Sequence, residues 1–244
     1  CSLQFYLNYL GKIEGESQED DMLGADLFGS IIHEVLEELF IPLLGATLTP
    51  KLIDELLTKY PPVLEQKFEE KTHIASKDAG RYSIDLEVAG TYVQKYLQSL
   101  KSKIGSNTIV QALEKPMSVL FELASGEKVK VSGTTDRVEL KGNTYQILDF
   151  KTGKIDSANV TVKDWEDLLS NPNLNKAFQL ISYAWMFHKS EGVPIEDIYL
   201  LMEHGTPKEA RIYPDGGHMG RTPGMDSAEI GNMIAAWLKL RLTQ

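Results

Sequence analysis

Between residues 117 and 152 the hydrophobic period of the chain changes, and this narrows the fold more than any other feature. MSVLFEL (117–123), KVKVSGTTDRVEL (128–140) and YQILDFKT (145–152) read as strands. ASGE and KGNT supply the turns, so the three segments predict an antiparallel meander. Helical periods lie on both sides. In DLFGSIIHEVLEELFIPLL the apolar residues fall at 27, 28, 31, 32, 35, 36, 39 and 40. Asp26 is the expected N-cap and Pro42 the expected stop. TPKLIDELLTKY (49–60) predicts a short helix with Thr49 as cap and Pro50 at its first position. A long helix is expected over 81–103 and another over 175–190. Further strands are expected at DIYLLME (197–203) and EARIYP (209–214). PDGGHMGRTPG (214–224) reads as a loop and AEIGNMIAAWLKLRL as a closing helix. There is no internal repeat. The expected fold is one α/β domain over 1–244, a central mixed sheet with an antiparallel meander flanked by helices.

At 42% hydrophobic over 244 residues the chain can bury a substantial core. Its one cysteine, Cys1, precludes an internal disulfide and any cysteine-rich metal ribbon built from this chain alone. That usage suits a reducing cytoplasm. No apolar run reaches membrane-spanning length. The opening CSLQFYLNYL has neither an initiator methionine nor the basic start of a signal peptide, so a piece of a longer protein is expected. ESQEDD (16–21) reads as an acidic linker. The net charge of −10 argues against a protein that coats DNA by charge alone. It leaves room for an enzyme that holds nucleic acid through metal ions.

The meander carries the chemistry. Asp136 lies in its second strand and Asp149 in its third, so pairing about the short turn brings two carboxylates together. Close buried carboxylates repel unless a cation lies between them. Hard oxygen ligands suit magnesium or manganese. Asp149 and Lys151 are two apart and project from one face of the strand. An ammonium there can position a water or offset charge on a phosphate. Taken alone, an Asp-x-Lys triplet reads more readily as an ordinary ion pair at a strand end. His33 alone reads as a structural histidine on a half-apolar helix, with Gly29 and Glu37 one turn away on either side. Gln179 and Tyr183, at i and i+4, would alone be a surface polar stripe, and Glu114, ahead of the meander, a solvated acid.

The ordered set says more. GSIIHEVLE (29–37), GTTDRVEL (133–140), ILDFKTGK (147–154) and QLISY (179–183) together resemble the RecB-like branch of the PD-(D/E)XK nuclease superfamily. The opening CSLQFYLNYL is similar to the start of the C-terminal nuclease domains of AddB-type helicase–nucleases. The resemblance implies a restriction-endonuclease-like core. It implies that His33, Asp136 and Asp149, with the Phe150 carbonyl, ligate a magnesium or manganese ion. Asp136, Asp149 and Lys151 become the catalytic set, and Gln179 and Tyr183 an accessory pair that braces the site and contacts DNA. Glu114 matches a further acidic position in some members. Several AddB-like relatives carry an iron–sulfur cluster on one early and three late cysteines. Cys1 stands at the early position and no cysteine follows, so no complete iron–sulfur site is expected within this chain.

The implied function is a metal-dependent DNA exonuclease domain of a bacterial, cytoplasmic repair helicase–nuclease. Its implied partners are DNA, helicase domains of the same chain and a partner helicase–nuclease subunit. The alternatives are a stand-alone or phage-type nuclease of the same superfamily, and an inactive nuclease-fold scaffold that only binds DNA or a partner.

Overall fold

The computed structural model describes residues 23–74, 80–105, 107–122, 126, 128–153, 155–162 and 167–204. The opening segment with Cys1, the acidic stretch, Lys154, and the strand, loop and helix expected after 204 lie outside the described residues.

Helix α1 (Ala25–Phe40) buries Ile31, Ile32, Val35, Leu36, Leu39 and Phe40, the stripe its period predicts. Its N-cap is Gly24 rather than Asp26. Asp26 sits inside the first turn, where its charge still complements the helix dipole. A single 3₁₀ turn, Ile41–Leu43, contains Pro42 and ends the helix as expected.

Helix α2 (Pro50–Thr72) begins as predicted, with the Leu52 N–H donating to Thr49 Oγ1 at 3.3 Å. It does not stop at residue 60. It runs through Pro61 and Pro62 to Thr72. Interior prolines cost about 3 kcal/mol each. Ile53, Leu56, Leu64 and Phe68 are all buried along its length, and each such side chain is worth about 1.5–3 kcal/mol. Packing thus offsets the local penalty. Helix α3 (Ser83–Lys103) buries Ala89, Val93, Tyr96, Leu97 and Leu100 against the other two.

The sheet has the order β1-β2-β3-β4. Strands β1 (Thr108–Glu122), β2 (Lys128–Lys141) and β3 (Thr144–Lys151) are antiparallel neighbours. Lys141 pairs with Thr144 around Gly142, whose φ of +63° suits glycine in a tight hairpin turn. Strand β1 starts nine residues earlier than its sequence pattern indicates, so Glu114 lies within the sheet rather than ahead of it. Strand β4 (Ile198–His204) runs parallel to β3, which requires a crossover. Helix α4 (Asn175–Glu191) provides it. From Ala177 to Phe187 every residue of α4 except Gln179 is buried.

Among the described residues two cores result, one on each face of the sheet. Helices α1 to α3 pack with Val110 and Phe150 on one face. Helix α4 packs with Met117, Val138 and Ile147 on the other. Among the described residues no helix is long and apolar enough to cross a membrane. Helices flanking a sheet with an antiparallel meander match the restriction-endonuclease-like architecture expected from sequence.

The β1–β2 hairpin changes faces partway along. Near its base the even-numbered Ala112 and Val138 pack toward α4. Toward its tip the odd-numbered Met117, Val119, Phe121 and Val131 do so, and a side chain on Gly133 would meet the Tyr183 ring at 2.9 Å. The switch needs a break in the two-residue period. Glu114, at φ +41°, provides it in β1. Such irregularities re-aim side chains and cluster next to active sites.

Candidate metal centre and active site

The strand register places three acids at one level. Leu113 pairs with Arg137 and Lys115 with Thr135, which sets Glu114 opposite Asp136. Arg137 pairs with Leu148, which sets Asp136 opposite Asp149 in turn. Neither acid pair belongs to a regular ladder. The regular pairing is interrupted at this level.

Helix α1 delivers the histidine. His33 Nδ1 lies 3.4 Å from Asp136 Oδ1, and His33 Nε2 lies 3.1 Å from the Phe150 carbonyl oxygen. The Phe150 N–H donates to Asp136 Oδ2. The Phe150 ring turns away into the helical core, edge-on to Tyr96 and His33. Its backbone thus serves the site while its side chain serves the core, as the two-residue strand period requires. Gly29, one turn before His33, lets α1 approach Thr152, since a Cβ there would stand 3.2 Å from Thr152 Oγ1.

Asp149 is 2% exposed. Lys151 Nζ sits 2.7 Å from its Oδ2. On the other side Gln179 Nε2 donates to Tyr183 Oη at 2.8 Å and reaches Asp149 Oδ1 at 3.4 Å. Gln179 and Tyr183 therefore face the site and not open solvent.

The electrostatics fit a site built for a cation. Burial, and then the charges of Asp136 and Glu37, push the Glu114 carboxyl up to about 7. Burial pushes Asp149 up to about 6, against the pull of Lys151. Burial disfavours protonated His33, but the Asp136 carboxylate outweighs it and the net shift is upward. Burial raises Tyr183 to about 12, so it remains a hydroxyl donor at neutral pH.

One ligand atom each from His33, Glu114 and Asp136 can come within 4.8 Å of the others. Asp149 is outside that set and instead faces Lys151 and Gln179. Adjacent ligand atoms of an octahedral ion at about 2.1 Å lie about 3 Å apart. His33 Nε2 and the Phe150 oxygen already meet that spacing. A cleft of about 560 Å³ opens beside the group; His33 and Glu114 line it, together with Asp26, Ser30, Glu34, Glu37 and Thr152. Sequence reasoning gave Glu37 no role. Its signal was its place one turn beyond His33, on the same helix face.

Metal binding here must displace protons. As pH rises through about 6 and then about 7, Asp149 and then Glu114 become charged, and His33, held above its ordinary value by Asp136, gives up its proton as well. Manganese affinity will therefore rise with pH, by on the order of tenfold or more between pH 6 and pH 8. Titration calorimetry at the two values checks this, and a flat profile would remove the raised acids from the site.

A histidine, a row of carboxylates, a carbonyl and a lysine in one cleft define a divalent-metal site for phosphate chemistry. The sequence profile of the PD-(D/E)XK nuclease superfamily matches residues 1–237, and the chain belongs to that superfamily. Its chemistry is metal-dependent phosphodiester hydrolysis. Among solved structures, the crystal structure of SSO0001 aligns over 99% of this chain and 87% of its own, at 14% identity and a TM-score of 0.33. That likeness is too distant to carry an argument. No curated protein matches.

Proposed function

We propose that the chain is a single nuclease domain that degrades DNA from its ends, using magnesium or manganese. We place it in the RecB-like, AddB-type branch, as part of a repair helicase–nuclease that supplies its strands. One observation carries the chemistry: Glu114, Asp136 and Asp149 stand in register on three neighbouring strands, with His33 and Lys151 at the same cleft. The ordered motifs from GSIIHEVLE to QLISY support the branch.

His33, Glu114 and Asp136, with the Phe150 carbonyl, would hold the ion, and Asp149 would approach it once Lys151 turns to the substrate. When bound, the ion would polarise the phosphate and lower the pKa of a water. Lys151 holds its ammonium where it can orient the attacking water and offset charge on the phosphate. Gln179 braces Asp149 from the α4 side, and the Tyr183 hydroxyl stands ready to donate to a phosphate oxygen. Thr152 and Ser30 line the same cleft as His33 and Glu114.

Linear and circular DNA, single- and double-stranded, incubated with manganese or magnesium and then with a chelator, test this. Linear DNA should be shortened from its ends only with metal, while covalently closed circles survive. Equal cutting of circles would overturn the exonuclease reading, and cutting in the chelator would overturn metal dependence.

A further inference from the structure

Arg137 is fully buried immediately behind the site. It follows Asp136 in β2 and pairs across the ladder with Leu148, the residue before Asp149. Its guanidinium carbon lies 4.4 Å from the Phe40 ring centroid, 5.3 Å from that of Phe150 and 5.6 Å from that of Tyr96. Its Nε stands 3.0 Å from Glu139 Oε1, and Glu139 is also buried.

Burying this pair is costly, and well-packed apolar side chains in its place are often as stable or more so. Stability alone is thus a poor reason for a guanidinium here. Glu139 offsets its charge locally, which also makes it a poor electrostatic partner for the acids in the cleft. What the guanidinium offers is shape: a flat plate that rings can stack against, with a buried carboxylate beside it to offset its charge. The three rings come from α1, α3 and β3. Phe40 belongs to the helix that carries His33. Phe150 gives its carbonyl to His33 and its N–H to Asp136. One buried plate therefore touches rings on the elements that deliver His33 and the Phe150 carbonyl, and is itself next to Asp136 in β2.

We propose that Arg137, paired with Glu139, is the positioning residue of the metal centre, acting through the Phe150 backbone. The proposal rests on the metal-centre reading above. Groups that orient metal ligands from behind are typically worth about 10–100-fold in metal affinity or activity.

The test replaces the pair with apolar side chains of similar volume, Arg137→Met with Glu139→Leu. The measurements are thermal melting, manganese affinity, and the His33 imidazole nitrogen shifts and Nε2 proton exchange in metal-free protein. The double variant should melt within a few degrees of the wild type. Its manganese affinity should fall on the order of tenfold or more, and its His33 Nε2 proton should exchange faster. A folded double variant with wild-type affinity and wild-type His33 signals would overturn the proposal and leave a structural ion pair. Should the double variant not fold, Arg137→Lys keeps the charge opposite Glu139 but loses the plate. It should show the same loss of affinity, and wild-type affinity there would overturn the proposal. The metal-free His33 signals separate the two levels. If the wild type itself binds no manganese, the metal-centre reading fails, while an unchanged His33 signal in the variant fails Arg137 alone.

Discussion

Lys151→Ala should cleave linear DNA on the order of 10²–10⁴-fold more slowly than the wild type. Lys151 is partly exposed at the end of β3, so its removal leaves no cavity in either core. It is not a metal ligand, so manganese binding should persist. Its loss acts twice, however. Lys151 holds the Asp149 carboxyl down against burial and against Asp136. Without it Asp149 stays protonated to higher pH, which by itself slows the enzyme near neutrality. Raising the pH separates the two effects. At pH 8.5 to 9 Asp149 should again be ionised, and any remaining deficit belongs to the transition state. A kcat deficit that disappears entirely at high pH would reduce Lys151 to a partner that keeps Asp149 charged. Cleavage at the wild-type rate throughout would make it an ordinary ion pair at a strand end and favour another catalyst.

Much of this site was legible from sequence, for identifiable reasons. Strand residues 145–151 pack against both cores, so the two-residue period is clear. It correctly set Asp149 and Lys151 on one face and Phe150 on the other. The KGNT hairpin was legible because Gly142 takes the left-handed backbone its turn needs. Helix α1 announced its buried stripe, and the stripe fixed which side His33 had to face.

What was missed involved residues whose local preference is overridden. The segment 108–116 does not alternate cleanly, because a register shift near Val110 and the left-handed Glu114 break its period. The sequence pattern therefore puts Glu114 ahead of the sheet, whereas the register sets it opposite Asp136. Pro61 and Pro62 read as a helix stop, yet the packing of Leu64 and Phe68 carries α2 past them. Arg137 gave no signal of burial, because its surroundings come from four elements far apart in the chain. Gln179 was recognisable by spacing from Tyr183, but that it points inward depends on α4 being buried almost all round.

The metal centre itself stands or falls on Asp136. Its carboxylate touches His33 through one oxygen and the Phe150 N–H through the other, and it lies between Glu114 and Asp149 in the acid row. Among the described residues no other side chain at the site joins as many of the proposed ligands. Asp136→Asn preserves its size and can still accept the Phe150 N–H, so the fold should survive while the charge is lost. Calorimetric titration of wild type and Asp136→Asn with manganese at pH 8 is the direct measurement. The variant should bind manganese at least about 100-fold more weakly, more than a residue acting from behind the ligands would cost. Its cleavage of linear DNA should vanish with that binding. Equal manganese affinity in the two proteins, with cleavage retained in the variant, would contradict a metal centre at the Glu114–Asp136–Asp149 row.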